Sequence, residues 1–146
     1  SMNTIYTIGT SNRPSLEFIN ILIRYGIQIL VDVRRFPSSR FPWFKREKLA
    51  AACRNGGIDY RWMGDLLGAF RKEAYEQYCQ TEAFRKGVEC LEELAETRTI
   101  ALCCAERLPW KCHRRFIARE LEKLGRPVTH ILDSEEEWQS PQGELF

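Results

Sequence analysis

Histidine is scarce in this chain: His113 and His130 are the only two among 146 residues. No two cysteines stand at the C-x₂₋₄-C spacing of compact zinc sites, so a four-ligand set would have to be gathered from distant segments. Metal is therefore the weaker reading, and no cofactor is expected. Long apolar runs are missing too. No stretch approaches the roughly 18 uninterrupted apolar residues of a membrane span, and the first residues lack the basic-then-apolar pattern of a secretory signal. The expected compartment is the cytoplasm, without membrane association. Neither G-x-x-x-x-G-K-[ST] nor G-x-G-x-x-G occurs, which removes the support for an ATPase or a dinucleotide enzyme. Internal repeats and low-complexity segments are also absent.

What is present has the size and 44% apolar content of one globular unit. The expectation is a single α/β domain over residues 2–132, followed by an acidic, loosely held tail over 133–146. The formal net charge of +2 conceals polarity. Between Arg34 and Arg54 there are seven Lys or Arg against Glu47 alone, whereas 133–146 holds five acids and no base. One face should be basic. Of the six cysteines, Cys53, Cys79 and Cys90 fall inside helical patterns, so reduced thiols are a better reading than a disulfide framework.

In chain order, Thr4 to Gly9 alternates as a strand. Ser15 then offers a cap for a helix running to about Tyr25, with Leu16, Ile19, Leu22 and Ile23 on its apolar face. Ile27 to Val33 reads as a strand buried on both faces. Residues 34–44 form a loop, Lys45 to Asn55 a helix, and Ile58 to Tyr60 a short strand. Arg61 to Lys72 shows no clean period. Helices are predicted over Glu73 to Cys79 and Thr81 to Glu96, then a strand over Thr99 to Cys104, a helix from Cys112, and a last strand over Val128 to Leu132. Alternating strands and helices predict a mainly parallel sheet flanked by helices, a three-layer α/β domain.

The densest chemistry lies in Ile100 to Arg114, where Cys104, Glu106, Cys112, His113 and Arg114 crowd a strand–loop–helix junction. Such junctions gather at the carboxyl edge of a parallel sheet, where ligands bind. A thiol at a helix start, among Lys111, His113 and Arg114, should favour the thiolate. Glu106 is a candidate base or orienting group. His113, as a sequence neighbour, need not face Cys112. Cys104 and Cys112 also admit a redox pair or, with a histidine, metal ligation, both secondary. Cys103 reads as core. His130 reads as a hydrogen-bonded structural histidine. Asp32 and Arg34 fit either an ion pair or a substrate contact, and Trp110 either a stacking platform or a surface aromatic. Between Arg34 and Arg46, bases interleave with Phe36, Phe41, Trp43 and Phe44, the composition of a nucleic-acid surface.

Taken together, Tyr6-Thr-Ile-Gly-Thr-Ser-Asn12, Leu30-Val-Asp-Val-Arg34 with Pro37-Ser-Ser-Arg40, Cys104-Ala-Glu106 and Cys112-His113-Arg114 resemble the domain-of-unknown-function 488 family (DUF488) over nearly the whole chain. The resemblance implies a compact α/β domain in which Ser11, Asp32, Arg34, Ser39, Arg40, Cys104, Glu106, Cys112, His113 and Arg114 line one site. Over three residues, the run Cys112-His113-Arg114 is also similar to the Pro-Cys-His-Arg site of DNA alkyltransferases, a family the rest of the chain does not resemble.

The functional expectation is a cysteine-dependent hydrolase or transferase for a phosphate-bearing, nucleobase-containing or nucleic-acid substrate. Cys112, Glu106, His113 and Cys104 form the catalytic group, and Ser11, Asp32, Arg34, Ser39, Arg40, Arg114 and Trp110 the binding group. The alternative is a non-catalytic nucleic-acid-binding module with structural cysteines. An anionic small molecule or nucleic acid is the expected partner.

Overall fold

The computed structural model of the chain describes residues 2–140. In order, its elements are β1 (Ile5–Gly9), α1 (Ser15–Arg24), β2 (Ile29–Asp32), α2 (Arg46–Asn55), β3 (Asp59–Trp62), α3 (Gly64–Leu67), α4 (Tyr75–Tyr78), α5 (Glu82–Thr97), β4 (Ile100–Cys104), α6 (Arg114–Lys123), β5 (Val128–Asp133) and β6 (Glu136–Trp138). Single 3₁₀ turns lie at Pro42–Phe44 and Pro109–Lys111. The sheet order is β3-β2-β4-β1-β5-β6. The first five strands run parallel, and β6 is antiparallel to β5. Among the described residues no helix is long and apolar enough to cross a membrane.

Strand alternation divides the core between the two faces. Ile100, Leu102 and Cys104 of β4 join Val88, Leu91, Ile117 and Leu121 beneath α5 and α6. Ala101 and Cys103 join Phe18, Leu22, Leu49 and Cys53 beneath α1 and α2. Because successive strand side chains point to opposite faces, Cys104 faces α6 while its neighbour Cys103 is sealed on the other side. Parallel pairing sends the ends of β1, β2 and β4 to one edge. There Gly9 pairs with Cys104 and Asp32 with Cys103, and the Thr10 and Ser11 N–H groups donate to the carbonyls of Cys104 and Ala105.

Several local expectations change. The residue capping α1 is Pro14, with no side-chain hydrogen bond, and Ser15 is already helical. The buried stripe of α1 is Phe18, Ile19, Ile21 and Leu22, while Leu16 and Ile23 are 72% and 53% exposed. The Phe18 ring docks edge-on against Phe44 at 5.2 Å and so fixes the helix rotation. Helix α6 begins at Arg114, not Cys112. Cys112 closes the preceding 3₁₀ turn in an extended conformation, and His113 is the cap. Strand β6, inside the segment read as an acidic tail, is held by Trp138, whose ring packs against His130 and Trp110. Residues 141–146 of that segment lie outside the described residues.

Gly9 is where the β4–α6 loop crosses the end of β1. A Cβ there would collide with the Glu106 carbonyl oxygen and lie 2.7 Å from the Arg107 Cα. Both obstacles are backbone and cannot rotate away. Gly9→Ala should lower stability by about 1–3 kcal/mol, as overpacking does, read as a lower urea midpoint.

Candidate functional site

The centre of the sheet edge is a pair of thiols and one guanidinium. Arg114 is fully buried. Its Nε donates to Thr7 Oγ1 at 3.0 Å, Nη1 to Cys104 Sγ at 2.7 Å and to the Glu106 carbonyl at 2.6 Å, and Nη2 to the Arg107 carbonyl at 3.1 Å. Its backbone N–H points at Cys112 Sγ, 3.5 Å away. With Thr7 Oγ1 accepting from Arg114, the threonine proton is free to go to His130 Nδ1 at 2.6 Å. Burial, reinforced by the Arg114 charge, pushes the His130 pKa down to about 3, so this histidine is a neutral structural group.

Cys112 is held well below the ordinary thiol range, at about 6. The largest cause is a hydrogen bond from the Cys104 thiol; burial opposes it, and the Arg114 charge and N–H add to it. Burial and the same hydrogen bond push Cys104 well up. The guanidinium touches Cys104 more closely than Cys112, which taken alone would put the negative charge on Cys104. Complete burial of Cys104 and the Arg114 N–H aimed at Cys112 reverse that preference, so the pair carries one shared proton with Cys112 as the thiolate.

His113 does face Cys112, contrary to what adjacency within a helix implies. As the cap rather than a helical residue, it turns Nδ1 to 3.6 Å from Cys112 Sγ, while Nε2 lies 3.2 Å from the Val33 carbonyl. The carbonyl can only accept, so Nε2 carries the proton and Nδ1 keeps its lone pair, a proton acceptor beside the sulfur that makes no hydrogen bond to the thiolate itself. Burial lowers the His113 pKa and keeps the ring neutral.

These groups open into a cavity of about 730 Å³ lined by Cys104, Glu106, Lys111, Cys112 and His113 on one side and Arg34, Arg35, Phe36, Ala69 and Phe70 on the other. Phe36 and Phe70, 61% and 80% exposed, stand at its mouth with ring centroids 6.4 Å apart. The Arg35 guanidinium lies over Phe36 at 5.3 Å and donates to the Phe70 carbonyl at 2.7 Å. The Glu106 carboxylate accepts from the Leu108 N–H at 3.3 Å.

Not every anticipated residue reaches this cavity. Asp32 is fully buried and takes both arms of Arg34, Nε and Nη2, at 2.8 Å each, with the Tyr60 hydroxyl as a further donor. It is a structural ion pair, and Arg34 spends its remaining Nη1 on the Phe44 carbonyl. Ser11, Ser39 and Arg40 line a separate polar groove of about 440 Å³. That groove shares only Ser38 and Ala105 with the cavity. Trp110 lies outside both and packs edge-on against Trp138 at 5.2 Å. Arg114 sits behind the sulfurs. Of the loop aromatics, Phe44 is core, and Trp43 packs at a tilt between Phe41 and Phe44 and donates to the Arg13 carbonyl. Phe36 faces the cavity, and Phe41 lines the adjoining groove. Phe70 was missed because Arg61 to Lys72 offers no periodicity to read. Among the described residues no cluster of three or more His, Cys, Asp or Glu is placed to hold a metal ion.

A family model described as "Domain of unknown function DUF488" matches residues 16–121. The matched span runs from α1 into α6 and includes Asp32, Arg34, Cys104, Glu106, Cys112, His113 and Arg114. No curated protein matches the chain.

If the Cys104 thiol is the main support of the Cys112 thiolate, Cys104→Ala should raise the Cys112 pKa from about 6 toward the ordinary thiol range. Cys104→Ser, which keeps an O–H donor, should raise it less. The pH dependence of Cys112 alkylation reads both values.

Proposed function

The chain belongs to the DUF488 family, and on that footing we propose that it is a cysteine-dependent hydrolase or transferase for a phosphate-bearing, nucleobase-containing substrate. The observation that carries the reading is Cys112, held as a thiolate beside a neutral imidazole and open to a cavity whose mouth is aromatic and cationic. A thiolate is the reactive form of cysteine, and at neutral pH this one needs no deprotonation before attack.

Cys112 Sγ attacks the electrophilic centre of the substrate. The departing group takes the bonding pair and leaves as an anion toward Arg35 and Lys111. In the second step His113 Nδ1 accepts the proton of the water or alcohol that attacks the Cys112-linked intermediate, and the sulfur departs again as thiolate. Val33 keeps the imidazole aimed throughout this step. Glu106, at the cavity wall, is an acceptor for an exocyclic amino group of a base.

Substrate class follows from the mouth. Phe36 and Phe70 offer flat apolar surface for a planar ring, and Arg35 and Lys111 offer charge for a phosphate. The adjoining groove with Ser11, Ser39 and Arg40 extends the same polar path. The inward packing of Trp43 and Phe44 favours this compact site over an extended single-strand platform along the basic loop.

At about pH 6.5, iodoacetamide should label Cys112 before the other five thiols, because its thiolate fraction is the largest. AMP, used as the probe, should slow that labelling more than adenosine or inorganic phosphate does, and Phe36→Ala should remove the protection. A Cys112 among the slowest thiols to label would sink the nucleophile assignment. Should the phosphate contacts be ionic, AMP protection should also weaken steeply with added salt, and less steeply in Arg35→Gln.

A further inference from the structure

Cys104 is more than a hydrogen-bond donor in this arrangement. It lies at the end of a central strand, 2% exposed, and shares one wall of the cavity with Cys112. Both sulfurs are held by the same residue, Cys104 by the Arg114 guanidinium at 2.7 Å and Cys112 by the Arg114 N–H at 3.5 Å, and both pack in the same core cluster beneath α5 and α6. All six cysteines are free thiols. A second, nearly fully buried sulfur on the same cavity wall and the same arginine as a nucleophilic one is placed to react with Cys112 once Cys112 is oxidised.

We propose that Cys104 is the resolving cysteine for Cys112, so that a hydroperoxide converts the pair into an intramolecular Cys104–Cys112 disulfide that reversibly closes the site. This rests on Cys112 being the reactive thiolate of the reading above. In the first step the Cys112 sulfur attacks the distal oxygen of the hydroperoxide. The S–O bond forms, the O–O bond breaks, and the departing alkoxide or hydroxide takes a proton from solvent, leaving Cys112 as a sulfenic acid. In the second, Cys104 attacks the Cys112 sulfur: the S–S bond forms and the S–O bond breaks, and hydroxide leaves with the Cys104 proton as water. Two electrons pass from the two sulfurs to the peroxide. A small dithiol returns them.

The geometry suits the second step. Cys104 is anchored in the sheet through its pairing with Gly9, whereas Cys112 is in extended coil between a 3₁₀ turn and α6. The sulfur that must move is therefore on the more compliant segment. Once linked, Cys112 cannot attack substrate and cannot proceed to the sulfinic or sulfonic acid, which thiols do not restore.

The test uses the full chain treated with hydrogen peroxide, alkylated, and digested with trypsin. Cleavage after Arg98, Arg107, Lys111 and Arg114 puts the two sulfurs on separate peptides, Thr99–Arg107 and Cys112–Arg114. The expected product is those two peptides joined, lighter by two hydrogens, with fragmentation assigning the link to Cys104 rather than Cys103 and dithiothreitol releasing it. Cys104→Ser should instead accumulate the Cys112 sulfenic acid, seen as a dimedone adduct at least about tenfold above wild type, and pass on to the sulfinic acid. The wild-type map decides the matter should that variant fail to fold. Wild-type Cys112 going to the sulfinic acid without the link would overturn the inference, as would a Cys112 that peroxide leaves untouched. If iodoacetamide still labels Cys112 first in either case, the nucleophile reading stands and only the resolving role is lost. Slow labelling would remove both.

Discussion

A guanidinium buried without a carboxylate is the constraint on which this site depends. Among the described residues no Asp or Glu lies within ion-pair distance of Arg114, and its acceptors are a hydroxyl, two carbonyls and a sulfur. Hydroxyl and carbonyls satisfy its N–H groups but leave its charge uncompensated, and an uncompensated buried charge is costly. The shared negative charge of Cys104 and Cys112 is the compensation at hand. The thiolate is thus not an incidental by-product of a helix start; it stabilises the cation that ties β1, the end of β4 and the following loop together. The same residue makes fold stability and thiol ionisation parts of one electrostatic unit.

A second arginine at the same edge illustrates the contrast. Arg34 has a full carboxylate partner in Asp32, both groups are buried, and the pair with Tyr60 is closed on itself. Such a pair organises the loop after β2, through Phe44, and fixes Arg34 in place at the cavity wall. Two guanidiniums of similar burial therefore have different consequences. One is neutralised by an oxygen acid and is locked in a buried ion pair. The other is neutralised by sulfur, whose ionised form is nucleophilic.

Much of this was legible in the chain. The βαβ order, the common edge and the concentration of thiol, imidazole and guanidinium near Cys112 follow from strand and helix periods and from residues close in sequence. What escaped depended on rotation and contact. The apolar periodicity of α1 fits two overlapping faces, and only the Phe18–Phe44 contact chooses between them. Interleaved bases and aromatics between Arg34 and Arg46 look like one ligand surface, yet composition carries no direction: Trp43 and Phe44 turn inward, while Phe36 and Phe41 line two different openings. That His113 faces Cys112 could not be read from adjacency in an expected helix; the helix start lies two residues later, at Arg114, and His113 as its cap turns to the sulfur. The pairing of Cys104 with Cys112 reads as secondary because seven intervening residues say nothing of how the crossing loop brings both sulfurs to Arg114.

Phe70 is the residue on which sequence was silent and the site most depends for its shape. It has φ of 63°, a region in which a non-glycine residue costs on the order of 1 kcal/mol, and its ring is largely exposed, so burial does not offset that cost. What holds it is a set of contacts to the backbone around it. Arg35 donates to the Phe70 carbonyl, and Arg71 donates to the carbonyls of Gly68 and Asp65. The side-chain contact with Phe36 across the mouth is the remaining one. Three arrangements of polar donors thus keep an apolar ring where it gains little from the protein itself. A strained, exposed aromatic supported in this way gains most when something flat and apolar covers it, which is the condition a bound base would supply.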